Sequence, residues 1–375
     1  MNSPFQFGKT VSGLAFTDRK DQLKTLTANL SGGISTILIS PRRWGKSSLV
    51  KKCIDEYFAD NNKYLVVMLD LFRIRSEEEF LEIFAMELIK SSTNKIEELI
   101  LNVKEFFTTL IPKISLSVDS LKDISFSFDR QELSKNRAEI LDLPQKIALK
   151  KKKKIIICID EFQNILNYKK SEFIVKDLRS SWQNQPDVTF CLYGSKRHMM
   201  SGLFNDSSSA FYRFGSVVFL NKIEKQYWIL FISKAFTNTK KNIPDNICGE
   251  IADLMDNHPY YVQQLSHIVW NLTEKETDSF IVSDALEKIV QMNSPFYIRE
   301  FESFSSSQVN FLKAVSSGEV HLNSSENLLK YQLGTSGNVS KNKRVLMEQD
   351  IIDIDNAGIS FIDPVFEEWF RNNIL

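Results

Sequence analysis

The run Ser40-Pro41-Arg42-Arg43-Trp44-Gly45-Lys46-Ser47 constrains the fold of this chain more than any other. It follows a short, β-branched apolar run at 34–39 and precedes an apolar-periodic segment at 47–58, so it lies at a strand-to-helix junction. With one change it fits G-x-x-x-x-G-K-[ST], a loop whose backbone N–H groups and helix N-terminus cradle phosphate oxygens. Lys46 then reaches the β and γ phosphates, and the Ser47 hydroxyl binds Mg²⁺. Gly45 allows close backbone approach, whereas Ser40 replaces the first glycine and is biased toward extended geometry by Pro41. Pro41, Arg42, Arg43, Trp44, Gly45, Lys46, Ser47 and Ser48 are the expected phosphate-binding residues.

A second run, Ile155-Ile156-Ile157-Cys158-Ile159-Asp160-Glu161, sets two carboxylates at the C-terminal end of a buried strand, where parallel sheets bind ligands. Asp160 can join Ser47 in the Mg²⁺ shell, and Glu161 can polarise the attacking water as general base. A further strand ends in Tyr193-Gly194-Ser195, whose hydroxyl either reaches the water or γ-phosphate or serves as a turn residue. Arg213 lies just before a fifth strand. Its guanidinium either meets a γ-phosphate, in its own or a neighbouring subunit, or makes a surface or domain-interface salt bridge.

Apolar runs at 34–39, 64–69, 155–159, 188–193 and 216–220 alternate with helical patterns. This predicts an α/β domain with a parallel sheet covered on both faces. An acidic first turn at Ser76-Glu77-Glu78-Glu79 opens one helix, and a second is expected over about 135–149. Alternation at 114–118 and 124–128 predicts a β-hairpin insertion within 112–129. From 224 to about 301 the pattern is helical throughout, with segments at 226–237, 248–255, 260–272 and 283–292. Beyond it, three helical segments precede two short apolar runs around Asn356-Ala357-Gly358, the order of a winged helix. The expected domains are thus 1–223, 224–301 and 302–375.

Charge narrows the function classes. Lys+Arg and Asp+Glu both total 47, so no global field steers the chain toward nucleic acid or anionic lipid. The four cysteines lack a Cys-x-x-Cys pair and the four histidines lack metal-ligand spacing, which predicts buried thiols and no structural metal. No apolar run approaches the roughly 20 residues of a membrane span, and the first thirty residues lack a signal-peptide core. A cytoplasmic protein without membrane contact is the expectation.

Together these motifs resemble the archaeal-type P-loop ATPase family, close to the AAA+ and STAND NTPases and akin to origin-recognition ATPases. The resemblance rests on Phe16-Thr17-Asp18-Arg19, the Pro41–Ser47 loop, Asp160-Glu161-Phe162-Gln163, Phe211-Tyr212-Arg213 and His258-Pro259-Tyr260-Tyr261. It implies a P-loop NTPase sheet of the AAA+ kind with a helical lid and a C-terminal winged helix, binding ATP and Mg²⁺. It also implies that Val11, Phe16 and Arg19 flank adenine, and that Pro259 starts a lid helix over the nucleotide, or simply opens a helix.

Three functions remain open on this reading: ATP hydrolysis driving the lid and winged helix, a nucleotide-held switch with little turnover, and an ATP-regulated DNA-binding protein. Lys341, Lys343 and Arg344 would supply a basic third helix. From 321 to 375, however, five Lys/Arg face eight Asp/Glu, so DNA binding is expected to be weak. A homo-oligomer and an unidentified protein partner are the other candidate associations.

Overall fold

The computed structural model describes residues 2–92, 117–118, 126–127, 136–355 and 358–375. The chain divides into two compact units, one of Arg19–Ser40 and Lys46–Leu220, the other of Met1–Asp18, Pro41–Gly45 and Asn221–Leu375.

The first unit is built on a five-stranded parallel sheet. Its strands are β1 (Thr36–Ile39), β2 (Tyr64–Asp70), β5 (Lys154–Asp160), β6 (Val188–Gly194) and β7 (Ser216–Phe219), in the order β2-β5-β6-β1-β7. Ile155 to Ile159 are fully buried, as expected of a strand covered on both faces. The order places the C-terminal ends of β5, β6 and β1 side by side, the crevice where open α/β sheets take ligands. Between β2 and β5 a short antiparallel pair, β3 (Ser117–Val118) and β4 (Phe126–Ser127), pairs Val118 with Phe126. The rest of the expected hairpin lies outside the described residues.

Helix α1 (Lys20–Ser31), which is not among the expected elements, precedes β1; α2 (Lys46–Tyr57) and α3 (Glu77–Ser91) lie where expected, and Ser76 caps α3 by accepting from Glu79 N at 3.2 Å. The single helix expected over 135–149 is instead two, α4 (Arg137–Leu141) and α5 (Leu143–Lys151). Pro144 sits in the first turn of α5, where its missing N–H costs nothing, and Asp142 lies at the end of one helix and the start of the next without a side-chain cap bond to either. Helices α6 (Ser171–Trp182) and α7 (Arg197–Phe204) complete the described α-helices of this unit.

In the second unit come α8 (Lys225–Asn238), α9 (Asp245–Leu254), α10 (Pro259–Leu272) and α11 (Ser279–Glu302). The segment read as ending at 292 continues for ten more residues, through Pro295. Pro295 removes the N–H that would bond the Gln291 carbonyl, but Gln291 is exposed, so water can satisfy it, and the helix runs on to bury Tyr297. Helices α12 (Ser306–Ser316), α13 (Ser325–Lys330) and α14 (Ser336–Glu348) then precede β8 (Ile352–Asp355) and β9 (Gly358–Phe361), an antiparallel pair. The closing helix α15 (Pro364–Ile374) is not among the expected elements either, although Asp363-Pro364 is a cap followed by a first-turn proline. Its Val365, Phe366, Trp369 and Phe370 are buried in this unit's core.

Candidate functional site

Lys46 is the first residue of α2, directly after the loop. Its Nζ donates to the Ser40 carbonyl at 2.9 Å and lies 3.3 Å from Ser40 Oγ, so the residue replacing glycine lies under the lysine. Ser40 is not among the residues with positive φ, which is why a Cβ is tolerated there. Gly45, at φ 89°, does occupy the region that favours glycine.

The Ser47 hydroxyl donates to Asp160 Oδ2 at 2.6 Å, joining α2 to the end of β5. Asp160 Oδ1 accepts from the Glu161 N–H at 2.8 Å. Burial pushes the Asp160 carboxyl up to about 6, against the opposing Ser47 hydrogen bond. A half-buried carboxylate of this kind favours a cation beside it. Among the described residues no cluster of three or more His, Cys, Asp or Glu could hold a metal. A hydroxyl and one carboxylate fit Mg²⁺, which keeps waters and takes its other ligands from substrate phosphates.

Glu161 has a left-handed backbone, φ 50°, uncommon for a non-glycine residue. Its Oε2 accepts from Ser195 Oγ at 2.8 Å and from Gln163 Nε2. Lys46, Ser47, Asp160, Glu161 and Ser195 are thus gathered at the adjacent ends of β1, β5 and β6. Arg213 is not among them. It precedes β7, whose first residue pairs with Thr36 at the start of β1, so it sits at the N-terminal end of the strands, opposite the end that carries the site. There it is exposed, with its guanidinium 5.0 Å from the Tyr212 ring centre. Meeting the γ-phosphate within its own chain is therefore not supported. Arg19 precedes α1 with φ 71° and is 4% exposed.

The remaining loop residues, Pro41–Gly45, pack within the second unit. Arg42 pairs with Asp350 at 3.7 Å. Arg43, φ 63°, donates to the Tyr261 hydroxyl at 3.2 Å and lies over the Tyr260 ring at 4.4 Å. Trp44 meets the His258 ring edge-on, centroids 6.0 Å apart. Pro259 occupies the first turn of α10, and His258 caps that helix, its Nδ1 accepting from Tyr260 N at 3.2 Å. Burial, with Arg43 adding to it, pushes His258 down to about 3, so the imidazole is neutral.

The N-terminal segment carrying Val11 and Phe16, both half-buried, belongs to the same unit. Gln263 of α10 donates to the Ala15 carbonyl at 3.3 Å and accepts from Gln6 N at 2.9 Å. Phe7 packs against Tyr260 and His267, at 5.8 and 5.4 Å between ring centres.

Sequence reasoning assigned no role to Gln163, Tyr261, Asp350 or Asp363. Only Gln163 and Tyr261 lay inside motifs that could have drawn attention to them. Asp363 accepts from the Tyr297 hydroxyl at 3.0 Å and is hydrogen-bonded to Tyr261. Burial holds its carboxyl above the usual range against those bonds.

Residues 16–265 match a family described as an ATPase domain predominantly from Archaea, and residues 295–372 match a probable winged helix domain. No curated protein matches. Among solved structures, a Walker-type ATPase of Pyrococcus abyssi is 19% identical with a TM-score of 0.66, over 95% of this chain and 96% of its own. The Aeropyrum pernix ORC2 protein, in ADPNP–ADP complexes, is 12% identical with a TM-score of 0.56, over 94% and 93%. At these identities the likeness is one of fold, that of a P-loop NTPase sheet with helices. The family match spans most of the chain and includes both the phosphate loop and the acidic pair, so the chain belongs to the family of ATPase domains found predominantly in Archaea.

Proposed function

We propose that this chain binds Mg-ATP through residues 40–48 and hydrolyses it, with Glu161 as general base. The observation that carries the reading is the 2.6 Å bond between Ser47 and Asp160, next to a Glu161 carboxylate anchored through one oxygen. When bound, Mg²⁺ neutralises charge developing on the β and γ phosphate oxygens. Lys46 exchanges its bonds to Ser40 for phosphate oxygens, and α2 presents its N-terminal N–H groups to the same anion. Ser47 and Asp160 hold the cation, Glu161 takes the proton of the attacking water, and Ser195 keeps that carboxylate in place. Val11, Phe16, Arg19 and Pro259 serve the adenosine end of the ligand in this reading.

We further propose that the nucleotide gates the lid helices and winged helix through the loop tip. Arg42, Arg43 and Trp44 bond or pack against Asp350, Tyr260, Tyr261 and His258, so a loop that rearranges around phosphate must remake those contacts. Tyr261 and Tyr297 share the half-buried Asp363, which carries the connection to the start of α15. DNA binding is the weaker alternative, because residues 321–375 carry eight Asp/Glu against five Lys/Arg around the basic helix α14.

Equilibrium ATP binding tests the site. Ser47→Ala and Asp160→Asn should each weaken binding at least tenfold in Mg²⁺ and change it little in EDTA. Equal losses in both buffers would mean that these residues do not serve the cation.

A further inference from the structure

The Glu161 carboxylate is held asymmetrically. Both of its protein donors, Ser195 Oγ at 2.8 Å and Gln163 Nε2, reach the same oxygen, Oε2, and among the described residues Oε1 has no hydrogen-bond partner. Gln163 is 1% exposed in the 3-10 turn Phe162–Asn167 that follows β5, and its own Oε1 is buried without a hydrogen bond. Leaving a buried amide oxygen unpaired is costly, so this side chain is held in place at a cost in stability. The space it occupies exists because residue 194 is glycine. A Cβ there would lie 1.9 Å from Gln163 Oε1, 3.0 Å from Gln163 Cδ and 2.9 Å from Met200 Sδ. Gly194 is not needed for a left-handed backbone, since its φ is not positive, so the demand for glycine at this position is steric.

We infer that Gln163 is a positioning residue for hydrolysis, which together with Ser195 fixes one oxygen of Glu161 and turns the other toward the attacking water, in a space that Gly194 keeps open. The inference rests on the proposed role of Glu161 as base. A carboxylate with both donors on Oε2 cannot rotate to exchange its oxygens without breaking two hydrogen bonds, so Oε1 is the one that takes the proton. The left-handed backbone of Glu161 is the strain this arrangement maintains. No bond to substrate is made by Gln163 itself; it acts through Glu161.

Two variants test it from opposite sides of the contact. Gln163→Met keeps the length and loses the donor, and Gly194→Ala keeps the donor and drives it out of place. Each should lower kcat by about 10- to 100-fold, the scale of a misplaced catalytic group, while the Kd for Mg-ATP stays within about twofold of wild type. Thermal melts identify a variant that fails to fold, in which case the other carries the test. Gln163→Glu, similar in shape but charged, should not restore turnover.

Wild type and Glu161→Gln are measured alongside. Hydrolysis that depends on Glu161 but survives in a folded Gln163→Met or Gly194→Ala protein would overturn the positioning role alone. Wild-type hydrolysis that is unaffected by Glu161→Gln would overturn the role of Glu161 as base, and the positioning role with it. Parallel losses in kcat and in ATP affinity would show a general structural role and would also overturn it.

Discussion

His258 and Asp160 are displaced in opposite directions by burial, and each leaves a separate mark on stability. The unfolded chain protonates His258 below about 6.5, whereas the folded imidazole resists protonation until about 3. Stability from this residue is therefore full above 6.5 and falls as pH drops, by about 2 kcal/mol at pH 5. Denaturant melts should show that loss in wild type and not in His258→Asn, since asparagine can still cap α10. An identical pH dependence in the two proteins would contradict the neutral buried imidazole. Asp160 has the reverse sign. Its folded carboxyl titrates at about 6 against a reference of 3.8, so the unliganded protein loses stability as pH rises through that interval. Asp160→Asn should stabilise the unliganded protein at pH 7.5 by about 1–3 kcal/mol while removing Mg²⁺-dependent affinity. A destabilised variant would mean that the carboxylate is well solvated or already paired.

At the scale of elements, the phosphate loop, the acidic strand end and the parallel sheet were legible because each is a local pattern: a spacing, or an unbroken apolar run such as Ile155 to Ile159. What escaped depended on three dimensions. Nothing in the order of residues says that Tyr261, Tyr297 and Asp363 share a buried hydrogen-bonded cluster, or that Gln163 fills space left by Gly194. The division of α4 from α5 at Pro144 and the continuation of α11 past Pro295 turn on where each proline falls in its helix and whether water reaches the orphaned carbonyl. Asp363 also caps α15, accepting from Val365 N at 2.9 Å and Phe366 N at 3.0 Å. Asp363→Ala should cost about 2–4 kcal/mol, from a lost cap and two buried tyrosine hydroxyls left without an acceptor. Asp363→Asn, which keeps an acceptor for the cap, should lose less in the same urea melts. Equal losses would assign the whole effect to the tyrosines.

For the whole molecule, the path of the chain matters as much as either unit. The phosphate loop interrupts the sheet unit, and its residues 41–45 pack with the helical and winged-helix residues, as do the first eighteen. Sequence proximity suggested one N-terminal domain for all of these segments, because contacts made more than 200 residues away, such as Arg43 with Tyr261, leave no local signature. No described helix is long and apolar enough to cross a membrane. Arg213 lies at the N-terminal end of the strands, the opposite end of the sheet from Lys46, so a γ-phosphate that it meets belongs to a neighbouring copy. Mixing Lys46→Ala with Arg213→Ala should then recover part of the activity that each lacks alone, and no recovery would leave Arg213 a surface residue. The most direct test of the central claim is steady-state phosphate release from Mg-ATP by wild type, Lys46→Ala and Glu161→Gln, with ATP binding measured on the same samples. Turnover in wild type, loss of binding and turnover in Lys46→Ala, and retained binding without turnover in Glu161→Gln are the predicted results; tight binding without turnover in wild type would contradict hydrolysis and leave a nucleotide-held switch.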